Sequence, residues 1–312
     1  MSYNPEKLKM TVQKESIGFI GVGFMGQGMA SCILAKGFPL TVMGHRNRKP
    51  VEELKAAGAQ EAATPRELAE KTSIIFLCVT GTPQVEAVVN GPDGIAASAK
   101  PGTIIVDCST SDPSSTVRLA AQLSAIGLHL CDAPLGGTPA QAALGQLSTM
   151  IGADSEVFAR IKPVCDAWAQ KVVHLGPVGD GHKMKLLNNF LSMGYGAIYS
   201  EALTLAQKIG ITPQTFNSVI SGGRMDCGFY QTFMQYVLQR DRDAHKFTLS
   251  NALKDVRYLE TVANDAGVPN PVGNAVKNVY AQAVAAGKGD DFVPMLSDFV
   301  ASQNRLSLAD KG

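Results

Sequence analysis

The run Ser16-Ile17-Gly18-Phe19-Ile20 is closed by Gly21-Val22-Gly23-Phe24-Met25-Gly26. Three glycines at this spacing, between a strand and a helix, suit the seating of a dinucleotide pyrophosphate. The first permits a tight turn, the second lets backbone approach the phosphates, and the third packs helix against strand, while the helix N-terminus offers unpaired N–H groups and a positive dipole end. A bare GxGxxG is weakly specific, and a glycine turn without a ligand is the competing interpretation. The flanks favour the nucleotide: an apolar strand precedes, and residues 24–35 form a helix pattern that ends at Gly37. Gly21, Gly23, Phe24, Met25 and Gly26 are therefore assigned to a cofactor.

The second strand suggests which dinucleotide. An NAD-preferring fold places Asp or Glu about 20 residues past the glycines to bind the ribose hydroxyl. Here Thr41-Val42-Met43 runs into Gly44-His45-Arg46-Asn47-Arg48-Lys49, with no acid before Glu52. Guanidinium donors without carboxylate repulsion suit a 2′-phosphate. NADP(H) is expected in preference to NAD(H), with His45, Arg46 and Arg48 at its ribose. A solvated basic loop is the alternative.

These residues need a scaffold. Apolar strand candidates recur at 40–43, 73–79, 103–107, 128–132, 149–151 and 172–175, with helical segments between most of them. Such alternation predicts a doubly wound, largely parallel sheet. Thr64-Pro65-Arg66-Glu67 and Ser111-Asp112-Pro113 carry helix-start signals. The pattern changes after Gly179-Asp180-Gly181: a long helical stretch covers 182–209, and further helices start near Pro213, Asp226, Ser250 and Pro271. The expected architecture is α/β: a Rossmann-type doubly wound sheet over residues 1–178, then an all-α domain over 179–312 led by a long interdomain helix.

With 312 residues, 18% charged, and a net charge of +1, the composition argues against an electrostatic nucleic-acid binder or a polybasic membrane-surface protein. No apolar run has bilayer-spanning length, and the polar start, residues 1–14, lacks a signal-peptide core, so a soluble cytoplasmic protein is expected. The six cysteines and five histidines lack disulfide or zinc spacing, and no metal is expected.

Two further segments complete a pattern. Asp132-Ala133-Pro134-Leu135-Gly136-Gly137-Thr138-Pro139-Ala140-Gln141 and Gly179-Asp180-Gly181-His182-Lys183-Met184-Lys185-Leu186-Leu187-Asn188-Asn189, with the glycine turn and a late stretch from Phe247 to Lys254-Asp255, resemble the β-hydroxyacid dehydrogenase family in order and spacing over about residues 16–300. The resemblance implies an NADP(H)-dependent oxidoreductase that interconverts a short β-hydroxy acid and its semialdehyde or keto form. It implies that Lys185 is the general acid/base and that Asn189, one helical turn on, orients the reacting oxygen. A lysine suits that task only when desolvation or a nearby cation lowers its pKa. Lys183, two positions away, points elsewhere.

By the same resemblance Gly136, Gly137 and Thr138 hold the acid group of a small substrate, although family members commonly have a serine and two glycines there. Thr110 falls at the nicotinamide side, Lys254 near the cofactor with Asp255 as its partner, and Val79, Thr80 and Phe247 complete the cofactor site. Arg224 follows Gly222-Gly223, where the family tends to be small; a bidentate clamp on an acidic substrate and a surface ion pair are equally open. Relatives assemble as homodimers or homotetramers, and the apolar helical part is expected to do so. The rival functions are an imine reductase, disfavoured by Lys185, a decarboxylating sugar-phosphate enzyme, disfavoured by the short chain, and a non-catalytic NADP(H)-binding module.

Overall fold

The computed structural model describes residues 14–309. The polar start, residues 1–14, lies outside them except for Lys14.

Among the described residues nine strands build one sheet: β1 (Ile17–Ile20), β2 (Leu40–Met43), β3 (Gln60–Ala62), β4 (Ile74–Leu77), β5 (Ile104–Asp107), β6 (His129–Asp132), β7 (Leu135–Gly136), β8 (Leu147–Gly152) and β9 (Ala169–Gly176). Their order is β3-β2-β1-β4-β5-β6-β8-β7, with β9 paired to β8. The first six are mutually parallel where they pair, while β8 runs antiparallel to β6 and β7. Helices cover the sheet: α1 (Gly26–Ala35), α2 (Lys49–Ala56), α3 (Pro65–Lys71), α4 (Thr82–Asn90), α5 (Pro113–Ser124), α6 (Pro139–Ala143) and α7 (Ser155–Cys165).

Strands β1, β4 and β5 are buried along their whole length because helices lie on both faces. That is why they read as unbroken apolar runs instead of alternating ones. Phe19, Phe76 and Trp168 meet on one face, with ring centroids 6.0 Å and 6.3 Å apart, while Ile20, Ile75, Leu77 and Ile105 pack on the other. Thr64 caps α3 by accepting from the Glu67 N–H, and Asp112, one residue past the Ser111 that opened the expected signal, caps α5 by accepting from Ser114.

A helical domain follows: α8 (Asp180–Lys208), α9 (Pro213–Ile220), α10 (Gly228–Gln239), α11 (Leu249–Asp265), α12 (Pro271–Ala283) and α13 (Leu296–Gln303) around their own core. Helix α8 runs for 29 residues and packs on both the sheet and the helices. It leaves Met184, Leu187, Leu191, Tyr195, Ile198 and Leu205 exposed along one side, continued by Ile209 just past its end. Among the described residues no helix is long and apolar enough to cross a membrane, and no group of His, Cys, Asp or Glu is arranged to hold a metal.

Candidate active site

Strand order reverses between β2-β1 and β1-β4, which opens a crevice outside the carboxyl ends of β1 and β4. The glycine turn lies at this point. Gly21 has φ +99°, and a Cβ there would sit 2.2 Å from the Cys78 carbonyl oxygen. A Cβ on Gly26 would approach the Gly21 oxygen to 2.0 Å. Gly23 has nothing within 4 Å of the same position, which leaves a backbone cradle open to a ligand. Helix α1 begins there with no side-chain cap and no acid in its first turn, so its orphan N–H groups remain available to phosphate oxygens. These features fit a dinucleotide. Gly21→Ala combines a disfavoured φ with a backbone clash, and equilibrium urea unfolding is expected to show a loss of about 2 kcal/mol.

A cleft of about 850 Å³ extends from this turn. Its sheet-side wall includes Gly21, Gly23, Phe24, Met25, Gly26, His45, Arg46, Val79, Thr80, Thr110, Gly136, Gly137 and Thr138. The helical wall includes Lys185, Asn189, Phe247 and Lys254. The structure thus brings together all but two of the residues singled out from sequence.

Arg48 and Arg224 are the two outside the cleft lining. The Arg48 guanidinium is held by Glu61 Oε1 at 2.6 Å and Glu52 Oε1 at 2.8 Å, and with Lys55 it keeps the Glu61 carboxyl down to about 2. Carboxylates further along the chain have captured it, which left Arg46 as the guanidinium facing the cleft. Arg224 is exposed in the turn after α9. Thr138 lines the cleft, yet its donors are engaged. Its N–H and hydroxyl both donate to Gln141 Oε1, at 2.9 Å and 3.2 Å, in a capping box that starts α6. Gly137, at φ +125°, supplies the turn itself.

Lys185 and Asn189 project from one side of α8. Lys185 is half-buried on the cleft wall, and burial desolvates its ammonium. That desolvation pushes its pKa below the ordinary lysine range; Asp255 opposes the shift and Lys254 adds to it. Asp255, 1% exposed, organises this wall. Its Oδ2 accepts from Asn189 Nδ2 at 2.6 Å, and its Oδ1 lies 2.8 Å from Lys254 Nζ, an ion pair whose angle falls short of a hydrogen bond. Lys254 Nζ donates to the Thr110 carbonyl at 2.8 Å and so joins the two walls. Lys183 is exposed and pairs with Asp180 at 2.9 Å, pointing away as its spacing predicts.

Sequence reasoning passed over His245, which lines the cleft beside the Lys185 ammonium. Burial, and then the Lys185 charge, lower its pKa to about 4, so the ring is neutral near pH 7. No local spacing marks it; its position two residues before Phe247 was the available signal. Asn188, Ser192 and Asn251 also reach the cleft.

A buried network fixes the start of α8. Gly179 occupies the N-cap in a left-handed conformation without a side-chain cap. The Asp132 carboxylate, from the end of β6, takes over by accepting the N–H groups of Gly179 and His182, each at 2.6 Å. The His182 ring donates from Nε2 to the Ser109 carbonyl at 3.2 Å and lies 2.8 Å from Thr116 Oγ1 through Nδ1.

Comparisons with known proteins agree with this arrangement. Residues 16–176 match the family described as the NAD binding domain of 6-phosphogluconate dehydrogenase, and residues 179–297 match that described as NAD-binding of NADP-dependent 3-hydroxyisobutyrate dehydrogenase. The chain is 33% identical over 275 residues to a 3-sulfolactaldehyde reductase of Escherichia coli strain K12, covering 88% of this chain and 92% of that protein. It is 31% identical over 273 residues to a 2-(hydroxymethyl)glutarate dehydrogenase of Eubacterium barkeri, covering 88% and 90%. A crystal structure of 3-hydroxyisobutyrate dehydrogenase from Salmonella typhimurium superposes with a TM-score of 0.83 at 27% identity, covering 92% of this chain and all of that one. A glycine turn at the sheet's switch point, a lysine and asparagine on the first turns of the long helix, and similarity running through both halves have one common explanation: the chain belongs to the β-hydroxyacid dehydrogenase family, NAD(P)-dependent oxidoreductases of CH–OH groups.

Proposed function

We propose that this enzyme interconverts a short β-hydroxy acid, or a related hydroxy anion, and its semialdehyde or keto form, with NADP(H) preferred to NAD(H) and Lys185 as general acid/base. The observation that carries this is Lys185 on the cleft wall, its ammonium desolvated by burial, one helical turn from Asn189. When bound, the nicotinamide supplies or accepts the hydride. Lys185 gives a proton to the carbonyl oxygen in reduction and takes the hydroxyl proton in oxidation. Asn189, held from behind by Asp255, orients that oxygen. The glycine turn and the uncapped start of α1 would hold the diphosphate, with Thr110, Phe247 and Lys254 nearer the reacting end.

The coenzyme preference rests on the second strand. Arg46 and His45 line the cleft beyond β2, where no carboxylate faces a ribose 2′-phosphate. The Gly136-Gly137 turn, which lines the same cleft as Lys185, supports a small acidic substrate. The exposed apolar side of α8 supports a homodimer or homotetramer in solution, which light scattering measures. The test of function is a panel of short hydroxy acids and semialdehydes bearing carboxylate, sulfonate or phosphate, each with NADPH and with NADH. Turnover is expected with at least one short acid class and higher kcat/KM with NADPH. Equal or better use of NADH sinks the coenzyme preference, and no turnover with any acid sinks the substrate class.

A further inference from the structure

The cleft is lined by four Lys or Arg side chains, Arg46, Lys185, Lys246 and Lys254, and Asp255 is its one acid. Three of the cations have evident tasks. Lys185 is the proposed acid/base, Lys254 is tied to Thr110 and Asp255, and Arg46 stands at the far end beyond β2. Lys246 remains. It belongs to the irregular segment between α10 and α11, on the helical wall, and its ammonium lies 6.0 Å from the ring centroid of Phe24 in the opposing glycine turn. Phe24 itself is 71% exposed. The backbone that carries Lys246 is anchored immediately after it, since the Phe247 carbonyl accepts from Val293 N–H at 2.9 Å and Thr248 bridges Phe292. Its ion-pair partner is Asp243, three residues back, at 3.0 Å with a carboxylate side chain 72% exposed. Exposed pairs of this kind contribute little and exchange readily.

We propose that Lys246 is the cross-cleft clamp on the cofactor diphosphate: the helical domain's cation leaves Asp243 for the phosphate oxygens and closes over Phe24. Helix α1 and the glycine backbone neutralise the diphosphate only with partial charges, and the sheet-side turn brings no full cation to it. A doubly charged group in a partly water-excluded cleft favours a full cation on the opposite wall. Asp243 then competes with the cofactor for the same ammonium, and this sets the sign of each substitution. The inference rests on the dinucleotide site described above.

The test titrates full-length protein with NADPH, following nucleotide fluorescence, at low and high salt. Lys246→Met is expected to raise Kd by about three- to tenfold at low salt, with the difference shrinking in roughly 0.5 M salt. Lys246→Arg keeps Kd within about twofold, because the charge and reach remain. Asp243→Asn lowers Kd, because it frees the ammonium. A pair that serves only to hold the loop makes both charge-removing variants bind more weakly, and that result overturns the clamp, as does an unchanged Kd in Lys246→Met. Wild-type protein that binds neither NADPH nor NADH brings down the dinucleotide site and the clamp together, whereas tight wild-type binding with unshifted variants overturns the clamp alone.

Discussion

Lys185→Met lowers kcat by about 10²- to 10⁴-fold while NADPH still binds. Methionine keeps an unbranched side chain and most of its volume, so α8 and the wall it forms with α11 stay packed, and what disappears is the transferable proton. Stopped-flow turnover and nucleotide titration measure the two quantities separately. Loss of both, or retention of rate, removes Lys185 from its assigned role. The pH profile carries a second signature. In the reductive direction Lys185 must be protonated, so the rate falls as pH rises through its pKa; in the oxidative direction the rate rises through the same value. Burial places that limb below the ordinary lysine range, against the pull of Asp255. Asp255→Asn removes the one nearby charge that favours the ammonium, while Lys254 on α11 and neutral His245 remain beside it. The limb therefore moves further toward acid. The same variant weakens the hold on Asn189, now a neutral amide pair where a carboxylate accepted at 2.6 Å, so kcat also falls.

How much of this was visible beforehand depends on whether the determining interactions are local. The glycine turn was legible because backbone sterics impose it: Gly21 and Gly26 each face a carbonyl oxygen that no Cβ could clear. The buried parallel strands were legible as short apolar runs, and helix starts as Thr64 and Asp112 caps. Strand β3 escaped because Gln60-Glu61-Ala62 is a polar edge paired on one side only, and β7 because two residues carry no periodicity. Lys185 and Asn189 came from family resemblance, since a mid-helix lysine looks the same in sequence whether it faces solvent or a cleft. Arg48 misled because its partners Glu52 and Glu61 lie outside the loop where a nucleotide-binding guanidinium is sought. Thr138 lines the cleft, and the local helix-start signal Thr138-Pro139-Ala140-Gln141 accounts for the engagement of both its donors. Relations across the fold, His245 against Lys185 and Asp132 against α8, have no spacing in the sequence that announces them.

Asp132 is the second position of large effect, and it acts by placing Lys185. The carboxylate is wholly buried, and Gly152 and Gly181 make room for it: a Cβ on either would come within 2.6 Å and 2.7 Å of its oxygens. Burying it costs desolvation, and its pKa is accordingly raised, against the His182 ring and the two N–H groups that favour the charge. The net contribution of such a group is small, but removing one side of it is costly. Asp132→Ala leaves the Gly179 and His182 N–H groups without an acceptor, and about 2–4 kcal/mol is expected to be lost near neutral pH. Urea unfolding followed by Trp168, the sole tryptophan and fully buried, measures this. The sign of the pH effect is fixed. A carboxyl whose folded pKa lies above its unfolded value adds most at low pH, and that increment is lost as pH climbs from the ordinary carboxylate range through the raised value. The deficit of the Ala variant therefore narrows over that window. Asp132→Asn, which keeps one acceptor and turns a donor toward the other N–H, falls between. Because the first turn of α8 slackens five residues before Lys185 is reached, kcat drops in both variants more than cofactor affinity does. Equal loss of the two would make Asp132 a general support of the fold instead of the residue that aims the lysine.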